Sequence, residues 1–464
     1  MLLKAGEAAP TAWSAGYFFF LLFSYYLMRP LRDALGIRGD LDKLPWLWTG
    51  TTVAMLVAAP VFAFVVSRVP RRRFLPLTYR FFTLNILVFY ALLQLLPDHG
   101  RRNVGYAFFI WTSVFNLFAV AVFWGFIADV FTNEQGRRLF GPIAVGGTLG
   151  AIAGSSVPAF LAKEIGPYNM LLIAAVMLEL AVVCVSKLVG LFGLGGTSRA
   201  RALECAACGT VVTSAADAAC PECGSPERRE RAASGGEPSW GVMQGLVLIA
   251  RSPYLQGMCV YMLAYTITST FLYFEQARIV KETVAEDAQR TELFGRIDLA
   301  GNILTLITQL TITGRLMSTL GVGPALVFVP ALTLVGFVAV WLAPTFAWPL
   351  LTVLVLFQAI RRSMHFAIDR PSREILYTPL GPDEKYKSKS FIDTFLYRGG
   401  DLIGAWTPRK SETVPIEFIA VAVSAVWIAS AVFLASRHER ILRKGGEHSP
   451  GGSLPTPTSS PRGA

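Results

Sequence analysis

An all-α membrane protein of about twelve transmembrane helices, in two six-helix bundles with a small cytoplasmic insert between them, is predicted by three observations. Apolar residues make up 53% of the 464-residue chain and charged residues 16%, against about 25% charged in soluble domains. The mean hydropathy is +0.49. Apolar windows of about 19 residues, long enough to cross a hydrocarbon core, recur in two sets separated by an abrupt polar stretch.

The first set lies near 12–33, 46–67, 74–96, 104–131, 139–162 and 168–191. The second lies near 253–280, 292–316, 324–343, 349–376, 388–406 and 415–435. The eleventh is the poorest span, because it carries Asp393, Arg398 and Asp401 and stops at TPRKSETVP. The first apolar run is of full spanning length without a small-residue cleavage site behind it, so the N-terminus is expected to remain cytoplasmic. The expected units are 1–191 for the first bundle, 192–240 for a linker, 241–440 for the second bundle and 441–464 for a disordered, low-complexity tail.

Orientation follows the basic residues beside short loops. Arg68, Arg71, Arg72, Arg73, Arg137, Arg138, the insert, Lys385, Lys387, Lys389 and the arginines of the tail fall on one side, which is expected to be cytoplasmic. This bias, together with an anionic inner leaflet, accounts for most of the net charge of +11 without a nucleic-acid partner.

The sequence also repeats itself. DVFTNEQGRRLFGPIAVGGTLGA at the fourth and fifth spans and EILYTPLGPDEKYKSKSFIDTFLYRGGDLIGA at the tenth and eleventh share an acid, a polar loop, a basic cluster, an apolar stretch and Gly-Gly. Six helices plus six, related by a parallel repeat, is the architecture of the major facilitator superfamily, whose two bundles rock about a central site. Gly146, Gly147, Gly150 and Gly154 recur at about one helical turn and are expected to let a neighbouring helix approach closely.

In the insert, Cys205, Cys208, Cys220 and Cys223 form two C-x-x-C-G knuckles. Such turns can aim four thiolates at one tetrahedral ion, so a closed, structural zinc site is expected, with a disulfide as the competing reading. No motif identifies a protein partner for the insert. The following SWGVMQGLVLIARSPY is amphipathic and is expected to lie along the inner membrane surface.

Ionisable residues inside spans are candidate functional groups, since they are costly without a wet cavity or a partner. Arg361, His365 and Asp369 are spaced four apart on the tenth span and share a face, with Arg362 about 100° away. On a cavity wall, this cluster would attract an anion, and guanidinium forks suit phosphate oxygens. The competing reading is internal pairing of Asp369 with a neighbouring arginine. Glu275, Arg278 and Lys281 end the seventh span, and Arg296, Asp298 and Asn302 open the eighth. Arg80 and Asp129 lie near cytoplasmic ends and are expected to serve as gate or loop-anchoring ion pairs.

YYLMRPLRDALG in the first span, FWGFIADVFTNEQGRRLFGPIAVGGTLGA and KYKSKSFIDTFLYRGGDLIGA occur in that order. Together they resemble the ATP/ADP translocase family, the nucleotide transporters of plastids and intracellular bacteria, especially its divergent bacterial members. The resemblance covers the chain apart from the insert and tail. It implies a multi-pass protein of the bacterial inner membrane. It implies that Arg29, Arg32 and Asp33 match the family's first-helix pattern, with Arg32 at the position implicated in nucleotide transport. Arg398 matches the family's basic residue before Gly-Gly, and Glu275 falls at or near its acid ending the seventh helix. The chain departs from the family where an acid precedes Phe-Trp in the fourth helix: Thr112 stands there, with Asn116 a turn later.

The expected function is therefore alternating-access transport of a phosphate-bearing anion, with ATP/ADP exchange as the leading form. Exchange follows where an empty basic cavity is too costly to reorient. The expected substrate contacts are Arg29, Arg32, Asn116, Glu275, Arg361, Arg362, His365 and Arg398. Asp33, Arg80, Asp129, Asp369, Asp393 and Asp401 are expected in gates or ion pairs. A proton-coupled carrier of another organic anion, with His365 and Asp369 as relay, and a non-transporting scaffold built on the zinc knuckle are the alternatives. No G-x-x-x-x-G-K-[ST] loop or hydrolytic constellation is present, so an enzyme is not expected.

Overall fold

The computed structural model describes residues 4, 6–68, 71–192, 203–205, 211–212, 228–230, 240–311, 321–407 and 415–447. Cys208, Cys220 and Cys223 of the expected zinc knuckle lie outside the described residues, and of Cys205 only the backbone is described.

The first half forms α1 (Ala8–Gly36), α2 (Leu44–Arg68), α3 (Arg71–Leu95), α4 (Asp98–Val130), α5 (Asn133–Ile165) and α6 (Met170–Leu191). The insert contributes β1 (Leu203–Cys205), β2 (Val211–Val212) and β3 (Arg228–Glu230), an antiparallel sheet in the order β2-β1-β3. The second half forms α7 (Trp240–Arg251), α8 (Pro253–Thr283), α9 (Asp287–Thr311), α10 (Val322–Leu342), α11 (Leu350–Ile375), α12 (382–406) and α13 (Ile416–Glu447). α11 and α12 each contain one π turn, at His365–Asp369 and Ile392–Leu396. The expected tail is thus still helical through Glu447.

Among the described residues, nine helices are long and apolar enough to cross a membrane. α1, α9 and α12 are long as well but carry the charged clusters singled out in the sequence. The amphipathic segment is the helix α7, which packs on the Pro382–Phe391 part of α12 and on α8.

α1 is the hub of the first bundle, packing on α4, α5 and α6. A Cβ on Gly146, Gly150 or Gly154 would meet the backbone at Ala15, Phe19 or Phe23, so these glycines let α5 lie directly on α1. Gly147 instead faces the Phe18 ring. The second bundle repeats the contact: α12 lies on α8, with Gly400 against Thr266 and Gly404 against Thr270. The repeat read in the sequence is therefore also a repeated helix packing, which works because small residues allow close approach where no hydrophobic drive exists.

The start of α1 is tied to α5. Arg138 donates to both Glu7 carboxylate oxygens at 2.9 and 3.1 Å. This contact, helped by the Lys4 backbone N–H and Gln135, holds the Glu7 pKa down from 4.5 to about 2.

Helix alternation places the loops at 37–43, 166–169 and 284–286 at the end opposite the described termini and insert. There the bundles meet through an apolar cluster: Ala34, Ile37, Leu44, Leu47 and Phe109 from one, and Phe274, Ala277, Val280, Phe294 and Ala405 from the other. The Lys281 ammonium donates to the Gly39 carbonyl, and Arg38 pairs with Asp287 at 3.3 Å. That end is closed.

Candidate substrate cleft

Just inside the closed end, two adjoining cavities of about 310 and 150 Å³ lie between the bundles and share Trp48 and Arg398 as walls. α1 supplies Tyr25 and Arg32, α4 supplies Phe109, Ser113 and Asn116, and α2 supplies Trp48 and Thr51. From the second bundle come Ser269 and Thr270 of α8 and Asp393, Tyr397, Arg398 and Asp401 of α12. Guanidinium groups from both bundles therefore face one space. Trp48 Nε1 and Thr51 Oγ1 are buried there without a hydrogen-bond partner among the described residues.

α1 runs unbroken through Pro30, although proline removes one amide donor from the ladder. Two residues on, Arg32 donates from Nε at 2.9 Å and Nη2 at 2.5 Å to Asp33 Oδ1, and its guanidinium lies 4.7 Å from the Phe109 ring centre. Tyr273 of the opposite bundle donates to the same Asp33 oxygen at 3.0 Å. On α12, Arg398 donates to Asp401 at 3.1 Å, and Thr270 donates to the other Asp401 oxygen at 3.4 Å.

A second network crosses beside the cleft. Asp298 Oδ1 accepts from Arg362 at 2.8 Å and pairs with Arg29 at 3.1 Å. Arg362 also donates to Tyr26 OH at 2.9 Å and Asn302 Oδ1 at 3.1 Å. Asn302 in turn donates to the Ala151 carbonyl at 3.2 Å and Ser155 Oγ at 3.3 Å on α5. Asp298 Oδ2 has no partner among the described residues.

The structure places several of the expected residues away from the cavity walls. Arg361, His365 and Asp369 do share a face, which packs within the second bundle, and none of the three lines either cavity. Arg361 donates to Thr333 at 3.0 Å, Thr268 at 3.1 Å and Ser269 at 3.0 Å, with Tyr265 and Trp427 beside it. His365 Nδ1 lies 2.9 Å from Asp369 and its ring stacks on Tyr265 at 4.3 Å, while Tyr261 donates to Asp369. Hydroxyls and carbonyls of α8 and α10 satisfy these groups, so no cavity is needed. Arg362, a third of a turn away, is the one that reaches the other bundle. Glu275 is buried against Arg278 and does not line the cleft.

Asn116 lines the smaller cavity. Thr112, where the family carries an acid, is buried and donates to its own helix at the Phe108 carbonyl, 2.7 Å away. Asp393 lines the larger cavity with Arg373 at 3.8 Å. Arg80 pairs with Glu179 at 3.7 Å on an exposed face of the first bundle, and Asp129 is exposed near the end of α4. Trp48 and Tyr273 escaped the sequence reading, since an aromatic in an apolar span gives no local signal of its role.

A family model described as TLC ATP/ADP transporter matches residues 101–437. A curated relative, ADP,ATP carrier protein 1 of Chlamydia pneumoniae, is 21% identical over 350 residues, covering 68% of this chain and 63% of the relative. The aligned part thus spans less than two thirds of that relative's length. Among solved structures, a point mutant of the nucleoside transporter NupG is similar with a TM-score of 0.57 and 12% identity, covering 93% of this chain and 99% of that one. A bacterial homologue of the iron transporter ferroportin in an inward-facing state gives 0.57 and 12% over 94% and 99%. An auto-inhibited POT family peptide transporter gives 0.56 and 14% over 93% and 96%. At these identities the structural likeness speaks to fold, which is of the major facilitator type.

Proposed function

The chain belongs to the TLC ATP/ADP transporter family, and on that premise we propose that it is a secondary transporter moving a phosphate-bearing anion, a nucleotide of the ATP/ADP type, by alternating access. The observation that carries this reading is the placement of Arg32 and Arg398, from different bundles, on the walls of one cleft. Guanidinium forks match phosphate oxygens, and the faces of Trp48 and Tyr397 offer stacking surfaces for a base. Arg29 and Arg362, held by Asp298 beside the cleft, are further donors that an anion can recruit by competing with the carboxylate.

Twelve crossings belong to the same proposal, with both termini and the insert in the cytoplasm of a bacterial inner membrane. In that orientation the closed end faces outward and the cleft is reached from within. The four insert cysteines are assigned to one structural zinc ion, a donor set that fits a closed tetrahedral site. Elemental analysis of purified protein tests this: about one zinc per chain, lost on substituting Cys220 and Cys223 by serine, supports it, and metal-free protein overturns it.

The test of transport is uptake of labelled ATP into proteoliposomes preloaded with ADP. Uptake well above protein-free vesicles, competed by unlabelled ADP, is the expected result. No uptake of any adenine nucleotide sinks the nucleotide reading.

A further inference from the structure

Resting on the reading of the cleft as a phosphate-anion site, we infer that Arg373 of α11 is a further phosphate contact. It stands beyond Arg398 on the side away from the closed end, and it sets how strongly nucleotides with longer phosphate chains are held.

Arg373 is a poorly satisfied guanidinium. Its side chain is only 12% exposed, yet Nε is buried without a partner among the described residues. Nη1 donates to the Met262 sulfur at 2.7 Å, and Nη2 lies 3.8 Å from Asp393 Oδ1, beyond hydrogen-bond reach. A thioether is a weak acceptor. Arg361 and Arg362, on the same helix, each donate to three or more oxygens. A buried cation without an oxygen acceptor is costly, and an arriving phosphate oxygen would relieve that cost. The Tyr377 hydroxyl, four residues on, is a second buried donor without a partner among the described residues.

Asp393 links Arg373 to the cleft: it lines the larger cavity and its side chain is 35% exposed. Both residues belong to irregular stretches of their helices. Asp393 lies in the π turn Ile392–Leu396, and Arg373 follows the π turn His365–Asp369 by about one helical turn. Such turns recur at functional sites. Along α12, Asp393 precedes Arg398 by five residues, about 7 Å of helix. An anion anchored at Arg32 and Arg398 therefore meets Arg373 only when its phosphate chain is long enough.

Asp393 opposes that contact, because it repels the anion and holds the charge of Arg373 at rest. This separates a substrate contact from a structural ion pair. A structural pair is broken equally by removing either partner. For a phosphate contact the two removals act in opposite directions.

Calorimetric binding of ATP, ADP and AMP to the detergent-purified protein in magnesium-free buffer tests this. Arg373→Gln is expected to weaken ATP binding about tenfold or more, ADP less, and AMP little. Asp393→Asn is expected to tighten ATP binding and to widen the ATP-to-AMP affinity ratio. It alters an exposed side chain, so it carries the test by itself where Arg373→Gln fails to fold. Unchanged ATP affinity in Arg373→Gln, equal weakening of all three nucleotides, or weaker ATP binding in Asp393→Asn overturns the inference and leaves the nucleotide reading standing. Failure of the wild type to bind any adenine nucleotide removes that reading and this inference with it.

Discussion

Arg29 of α1 and Asp298 of α9 meet at 3.1 Å across the boundary between the two bundles, and Arg362 of α11 holds the same carboxylate oxygen at 2.8 Å. One buried acid thus links the halves of the repeat.

That contact predicts energetic coupling. In a double-mutant cycle of Arg29→Ala and Asp298→Ala, read by chemical unfolding in detergent, the interaction is expected to be about 1–3 kcal/mol. Strict additivity would mean that the pair is absent in the detergent-solubilised protein.

Tyr273→Phe removes the hydroxyl that reaches Asp33 from the other bundle while preserving ring and volume. The closed end is expected to open more often, by about fivefold for a loss near 1 kcal/mol. Labelling of a cysteine introduced at Leu47 with a membrane-impermeant thiol reagent measures this. Unaltered labelling argues that the apolar cluster alone keeps that end shut.

Arg398→Ala and Arg361→Ala separate cleft from core. The first is expected to weaken nucleotide binding by about 1.5–3 kcal/mol, the value of a hydrogen bond to a charged group, with little change in thermal stability. The second removes the hydrogen bonds from a buried guanidinium to Thr268, Ser269 and Thr333 and leaves a cavity inside the second bundle, so the expected loss is in stability. A reversed pattern in calorimetric binding and thermal melts would falsify the placement of these two residues.

Glu7 gives a pH signature outside the spans. Its pKa lies at about 2 in the folded protein, lowered by Arg138 from 4.5. A depressed acid stabilises above its unfolded pKa and loses that contribution as pH falls through the folded value. Hydrogen exchange at the start of α1 is therefore expected to quicken as pH drops from about 4.5 toward 2, after correction for the intrinsic rate. Glu7→Gln should exchange faster at neutral pH and lack this added dependence; a wild-type profile identical to that of Glu7→Gln rules the pair out.

Gly-Gly near the start of the fifth span and again in the eleventh was legible as a repeat, and its meaning as helix contact followed from residue size alone. The angular placement of Arg361, His365 and Asp369 on one face was legible too, because 3.6-residue periodicity fixes it. What lay on that face was not, and neither was the role of Trp48, whose neighbours come from three other helices.

The sequence by itself determined that the chain spans a membrane, that its halves are copies, and which side chains share a helix face, since these depend on local hydropathy, internal likeness and helical geometry. Tertiary structure decided which face meets the cleft and which polar groups meet across the boundary between the bundles. Those partners lie far apart along the chain, 240 residues for Asp33 and Tyr273 and 336 for Tyr26 and Arg362. Periodicity sets a side chain's angle about its own axis, but only the packing of other helices sets what stands opposite.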